Sequence, residues 1–89
     1  MIDYVWDEKK RLSNLAVHGV DFADAVRFEW DTARVERDER YDYGETRFIA
    51  LGRIGPRLHV LVFTPRAGQV RIISLRKAND REARRYEKA

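Results

Sequence analysis

The densest chemistry in the chain sits in one short run, Arg71-Ile72-Ile73-Ser74-Leu75-Arg76-Lys77. Guanidinium groups grip phosphate through paired N–H donors, and a serine hydroxyl adds one more donor to a phosphate oxygen. Such a set suits the crowded phosphorane that forms when an RNA 2′-OH attacks its neighbouring phosphate. That reaction also needs a base for the 2′-OH and an acid for the leaving oxygen. Glu45 and Arg47 are two residues apart, so in an extended segment they share a face. Glu45 is a candidate base and Arg47 a second phosphate clamp; the alternative is an ion pair worth little when exposed. His18 offers an imidazole as a candidate general acid or base; the alternative is a favourable charge at a helix C-terminus. For Arg76 and Ser74 the alternative is a solvated strand end. Arg71, Lys77, Arg84 and Arg85 extend the cationic surface as candidate nucleic-acid contacts. His59 lies in an apolar run and reads as a satisfied sheet residue. With two His far apart, no Cys and no ligand-type carboxylate spacing, neither a metal site nor any other cofactor is expected.

These side chains need elements to hold them. Ile2 to Trp6 reads as a short edge strand. Asp7 caps a helix over Glu8 to His18, with Leu12, Leu15 and Ala16 on its apolar stripe and Gly19 as its stop. Asp21 caps a second short helix, whose apolar residues are Phe22, Ala25, Val26 and Phe28, ending near Glu29. A strand is expected around Ala33 to Arg37, then an acidic loop. Three stronger strands follow, Arg47 to Arg53, Leu58 to Thr64 and Val70 to Leu75. They are separated by the turn Ile54-Gly55-Pro56-Arg57 and by Ala67-Gly68. Asn79 with Glu82 three residues on forms a capping box for a last helix. The expected fold class is α+β, an antiparallel sheet of four to five strands with two N-terminal helices and one C-terminal helix. Strict alternation places Ser74 and Arg76 on one face and Arg71 on the other; only a bulge or a strong twist brings all three together. Trp6, Phe22, Phe28 and Trp30 are expected in the core, and Tyr86 against the sheet.

At 89 residues the chain is expected to be one domain, 1–89. Its composition, 44% hydrophobic and 37% charged, excludes a disordered chain. No apolar run is long enough to span a membrane, and no signal peptide is visible, so a cytoplasmic protein without membrane partners is expected. The net charge of +3 is unevenly spread. Glu29 to Glu45 holds seven acids and three bases, a net −4, whereas Arg66 to Ala89 holds eight bases and three acids, a net +5. The basic end suits phosphate; the acidic segment suits a partner's basic groups.

Four segments together resemble the BrnT toxins. They are Trp6-Asp7-Glu8-Lys9 leading into Asn14 through Phe22 and Ala25; Gly44-Glu45-Thr46-Arg47; Arg71 through Ala78; and Glu82 through Tyr86-Glu87. The chain departs from the family pattern at Val17, where a Lys is usual, and at Leu75, where an Ala is usual. The resemblance implies a RelE-like fold and a ribonuclease toxin of a type II toxin–antitoxin system that arrests growth. It also implies neutralisation by a BrnA-like antitoxin with a ribbon-helix-helix domain, and contact with promoter DNA only through the antitoxin complex. The implied enzyme is a metal-independent endoribonuclease acting on RNA. Val17 keeps a second class open, a catalytically degenerate module that only binds antitoxin or nucleic acid.

Overall fold

The computed structural model describes residues 1–88; Ala89, the last residue of the expected single domain, lies outside the described residues. The strands are β1 (Tyr4–Val5), β2 (Arg34–Asp38), β3 (Arg47–Ile54), β4 (Arg57–Arg66) and β5 (Gln69–Lys77), and the α-helices are α1 (Glu8–His18) and α2 (Asp80–Lys88). They form one five-stranded sheet in the order β1-β5-β4-β3-β2.

The sheet is mixed, which corrects the expected antiparallel arrangement. β2 to β5 are an antiparallel meander, required of β3 to β5 by their short turns, but β1 runs parallel to β5, with Tyr4 opposite Val70 and Val5 opposite Arg71. No local turn links these two strands, so sequence proximity carries no information about their direction.

The expected second N-terminal α-helix is a 3₁₀ helix, Phe22–Arg27, followed by a shorter one, Trp30–Thr32. A three-residue period stacks Phe22 and Ala25 on one face, where both are fully buried, and turns Val26 out to 73% exposure. Asp21 caps this helix by accepting the Ala23 N–H.

α1 begins and ends where the caps predicted. Asp7 accepts the Lys9 N–H, and Gly19 closes the helix at φ +70°. Its inward face differs from the expected stripe, however. Leu12 and Leu15 are exposed, and the one buried residue is Asn14. β1 covers only the start of the β5 edge, so the backbone at Leu75 lacks a strand neighbour there. The Asn14 side chain substitutes for one: Nδ2 donates to the carbonyls of Leu75 (2.7 Å) and Val20 (3.0 Å), and Oδ1 accepts the Leu75 N–H (3.2 Å). Each buried backbone group left unmet costs about 1–3 kcal/mol, enough to outweigh a leucine facing solvent.

The core lies between the helical layer and one sheet face. Phe22, Phe28, Leu61, Phe63, Ile72 and Leu75 are its main members. Trp6 and Trp30 pack against it only partly buried, and the Trp30 indole N–H donates to the Tyr4 hydroxyl at 2.7 Å. The opposite face carries a smaller cluster, Leu58, Val60 and Ala78, with Ile49, Leu51, Val62, Ala83 and Tyr86 at its margin. α2 crosses this second face without burying any residue completely.

Candidate nucleic-acid interface

The second face of the sheet is where the chemistry collects, and one irregularity decides its membership. β4 and β5 pair Val62 with Ser74 but Phe63 with Ile72, so Ile73 is an extra residue on β5. This bulge flips the alternation. Val70, Ile72 and Leu75 all face the core, while Arg71, Ser74 and Arg76 all face the other way, opposite Thr64, Val62 and Val60.

Register then builds rows across the sheet. Asp38 pairs with Arg47 and Thr64 with Arg71; one step beyond the Phe48–Phe63 pair, Arg47 and Thr64 come side by side. The Thr64 hydroxyl donates to the Thr46 carbonyl at 2.6 Å, which fixes that junction. The next row is Glu36, Ile49, Val62 and Ser74, and the one after is Arg34, Leu51, Val60 and Arg76. The result is a groove of about 690 Å³ with an apolar floor of Ile49, Leu51, Val60 and Val62. Its walls carry Arg34, Glu36 and Asp38 on one side and Arg76, Glu82, Arg85 and Tyr86 on the other.

Each charged wall residue is engaged differently. Arg76 makes two 2.8 Å hydrogen bonds to the Glu82 carboxylate, and the pairing raises the arginine pKa and lowers that of Glu82. Glu82 also accepts the Asn79 N–H while Asn79 Oδ1 accepts the Glu82 N–H, the reciprocal cap expected from the sequence. Arg85 pairs with Glu36 at 3.3 Å. Tyr86 packs on the sheet as expected, with its hydroxyl donating to the Thr32 carbonyl at 2.8 Å and Arg34 and Arg53 near its ring. Arg47 bonds Glu45 at 3.1 Å and lies 4.0 Å over the Tyr43 ring, and Arg66 approaches Glu45 at 3.6 Å. By contrast, the half-buried Arg71 guanidinium has no hydrogen-bond or ion-pair partner among the described residues.

Asp38 is the hub of this end. Its carboxylate accepts both Arg40 Nε and Nη2 at 2.9 Å, the Arg40 N–H at 3.2 Å and the Tyr43 hydroxyl at 2.9 Å. The Arg40 guanidinium holds the Asp38 carboxyl well below the usual carboxylate range, while burial chiefly raises the Tyr43 phenol. Arg40, Tyr43 and Thr64 do not stand out from sequence, and Asp38 does so only as part of the acidic segment suited to a partner's basic groups. The only further signal was the aspartate at the strand end with an arginine two residues on.

The remaining sequence candidates are dispersed. His18 ends α1 and lines a separate depression of about 290 Å³ with Lys10, Ser13, Asn14, Val17 and Ile73. Lys77 sits opposite His59, on the face away from Arg76. Arg84 is exposed on α2 outside the groove. His59 is satisfied as expected. It is 6% exposed, its Nδ1 lies 2.9 Å from the Arg57 carbonyl it donates to, and burial lowers its pKa. Among the described residues no three His or carboxylate side chains converge as a metal-ligand set, and no helix is long and apolar enough to cross a membrane.

Comparison with known proteins gives this surface its context. A search of curated proteins finds no match. Among solved structures, the fold is similar to the 1.1 Å crystal structure of the Brucella abortus ribonuclease toxin BrnT. The TM-score is 0.70 at 29% sequence identity, over 90% of this chain and 100% of that one. The family profile described as "Ribonuclease toxin, BrnT, of type II toxin-antitoxin system" matches residues 6–82. The chain therefore belongs to the BrnT family of ribonuclease toxins of type II toxin–antitoxin systems.

Proposed function

We propose that this chain is a metal-independent endoribonuclease whose reacting phosphate sits at Ser74, between Arg71 and Arg76. What supports this reading is the Ile73 bulge, which turns those three side chains to one face beside the groove. Strands are about 4.8 Å apart, so Arg47 lies roughly 10 Å across the sheet from Arg71, a span two extended arginines can close around one phosphate. In this scheme Glu45 takes the 2′-OH proton, and the 2′-oxygen attacks the adjacent phosphorus. Arg71, Arg76 and Arg47 neutralise the phosphorane, with Ser74 donating to a non-bridging oxygen. The 5′-oxygen leaves, taking a proton from solvent water to become the 5′-OH, and the other product is a 2′,3′-cyclic phosphate. Arg85, on the groove wall, contacts a flanking phosphate, whereas Lys77 and Arg84, off the groove, and His18, in its separate depression, take no step. The enzyme acts in the cytoplasm and is neutralised by a BrnA-like ribbon-helix-helix antitoxin, through which alone it reaches promoter DNA.

The test is RNA cleavage by antitoxin-free protein with and without chelator. Wild type should yield cyclic-phosphate ends at an unchanged rate in chelator, and Arg71→Ala and Arg76→Ala should each lose about 10²–10³ in kcat. A rate abolished by chelator removes metal independence; full activity in both variants removes the site.

A second reading is favoured by the Arg76–Glu82 pair, which already satisfies the guanidinium. Here the chain is a non-catalytic module that binds antitoxin or nucleic acid. Co-purification with a small partner, without any cleavage by the free protein, would select it.

A further inference from the structure

The loop between β2 and β3 carries Tyr41, a residue 71% exposed. A singly exposed aromatic is ordinary; what sets Tyr41 apart is the way it is held. Its ring meets Tyr43 edge to face at 5.8 Å. Tyr43 is in turn pinned by its hydroxyl to Asp38 and covered on one ring face by the Arg47 guanidinium. On the other side, Arg40 is clamped to Asp38 through its backbone N–H and two guanidinium nitrogens. The residues flanking Tyr41 are thus fastened to the end of the sheet, and Asp42 accepts the Gly44 N–H to close the turn. The ring is presented already ordered, so little entropy is lost when something stacks on it.

Its surroundings define what that is. Beside it opens a depression of about 280 Å³ lined by the two tyrosines, Arg37, Thr46 and four carboxylates, those of Asp38, Glu39, Asp42 and Glu45. That space admits one flat ring and no helix. The neighbours are mostly charged or polar, so little apolar area is available to anchor a hydrophobic side chain, and the carboxylates leave any phosphate to the arginines outside the depression. Arg47 adjoins the depression, and Thr64 and Arg71 continue its row across the sheet. A π-face next to guanidinium groups is the arrangement that single-stranded nucleic acid meets, base on the ring and phosphate on the arginines. We propose that Tyr41 is a stacking platform that holds one unpaired base of single-stranded RNA beside the Arg47 end of the groove. This rests on the ribonuclease reading of the same face and gives it a substrate class.

The experiment measures binding of a single-stranded oligonucleotide, made non-cleavable by 2′-deoxy substitution, to wild type, Tyr41→Ala and Tyr41→Trp. A blunt RNA duplex and the purified antitoxin serve as the other ligands. Tyr41→Ala should weaken single-strand binding by roughly 5- to 150-fold, the range typical of removing a stacking aromatic. Tyr41→Trp should bind as wild type does, and the duplex should be indifferent to both changes. Unchanged single-strand affinity in Tyr41→Ala overturns the proposal, as does an equal loss on duplex, or a loss confined to the antitoxin. Cleavage by wild type and by Arg76→Ala, run in parallel, keeps the parent reading separate. Cleavage that Arg76→Ala abolishes, together with intact Tyr41→Ala binding, overturns only the platform. A wild type that neither binds nor cleaves RNA overturns both.

Discussion

Asp38 and Glu82 are both carboxylates answered by arginine, yet their surroundings give them different consequences. The Asp38 side chain is 1% exposed and accepts four hydrogen bonds, so its charge is held by neighbours rather than by water. Its native pKa lies below its ordinary 3.8. Its contribution to stability is therefore fully present above that value and fades as pH falls from there toward the depressed native one. Asp38→Asn should lower Tm most at neutral pH, and the gap to wild type should narrow below about pH 4; thermal melts at pH 7 and pH 3 that differ equally would refute this. His59 acts with the same sign in a higher window. Its depressed native pKa means that stability is lost as pH falls below the ordinary 6.5. Glu82 faces the groove instead, and its two bonds to Arg76 compete with any phosphate there. Glu82→Gln keeps a capping side chain at the start of α2 but removes the negative charge. RNA affinity at low salt should rise a few-fold, on the order of 1 kcal/mol at most for partly exposed charges. A fall in affinity on titration with labelled RNA would mean that Glu82 holds Arg76 in its binding geometry.

Among the elements, those set by local chemistry were legible and those set by distant partners were not. Asp7, Gly19, Asn79 and Glu82 announced both ends of α1 and the start of α2, because capping is a matter of residues within a turn of each other. The meander from β3 to β5 followed from its turns. The direction of β1 and the inward face of α1 did not, since both answer to β5, more than 60 residues away. Asn14 shows the force of that answer: a polar residue takes the buried position because the β5 edge at Leu75 must be satisfied. Asn14→Ala leaves the Leu75 N–H and the Leu75 and Val20 carbonyls unmet, and should cost about 2–4 kcal/mol in urea denaturation. Asn14→Asp should do no better, since a carboxylate cannot donate to two carbonyls; a fully stable Asn14→Asp would contradict the strand-substitute role. Gly52 tests the sheet from the other side. A Cβ there would lie 2.6 Å from Phe28 Cζ and 3.1 Å from Ala33 Cβ. Phe28 is 5% exposed and has nowhere to swing, so Gly52→Ala should cost about 1–3 kcal/mol by overpacking, read from the same denaturation curves.

At the scale of the whole molecule, the acidic segment and the basic end, which sequence shows as separate blocks, fold against each other. Glu36 meets Arg85 and Glu45 meets Arg66, so part of the apparent charge asymmetry is consumed inside the chain. The candidate site was half legible for the same reason. Ser74 with Arg76 and Glu45 with Arg47 were visible as pairs, but the place of Arg71 on their face depends on one bulged residue, Ile73, which no local pattern marks. His18, at the end of α1, and Lys77, on the other sheet face, lie away from the groove. The fold also divides into parts of unequal firmness. β4 and β5 hold Leu61, Ile72 and Leu75 almost wholly out of solvent, whereas α2 buries no residue. α2 is held by the half-buried Ala83 and Tyr86, by the Tyr86–Thr32 bond and by the ion pairs of Glu82 and Arg85. Ion pairs this exposed contribute little each and are screened by salt. α2 should therefore open as a separate unit well below the global unfolding free energy. In native-state hydrogen exchange its amides should exchange far faster than those of β4, and more so in 1 M salt than at low ionic strength. Protection of α2 equal to that of β4, or indifferent to salt, would mean that the apolar contacts of Ala83 and Tyr86 alone carry the helix.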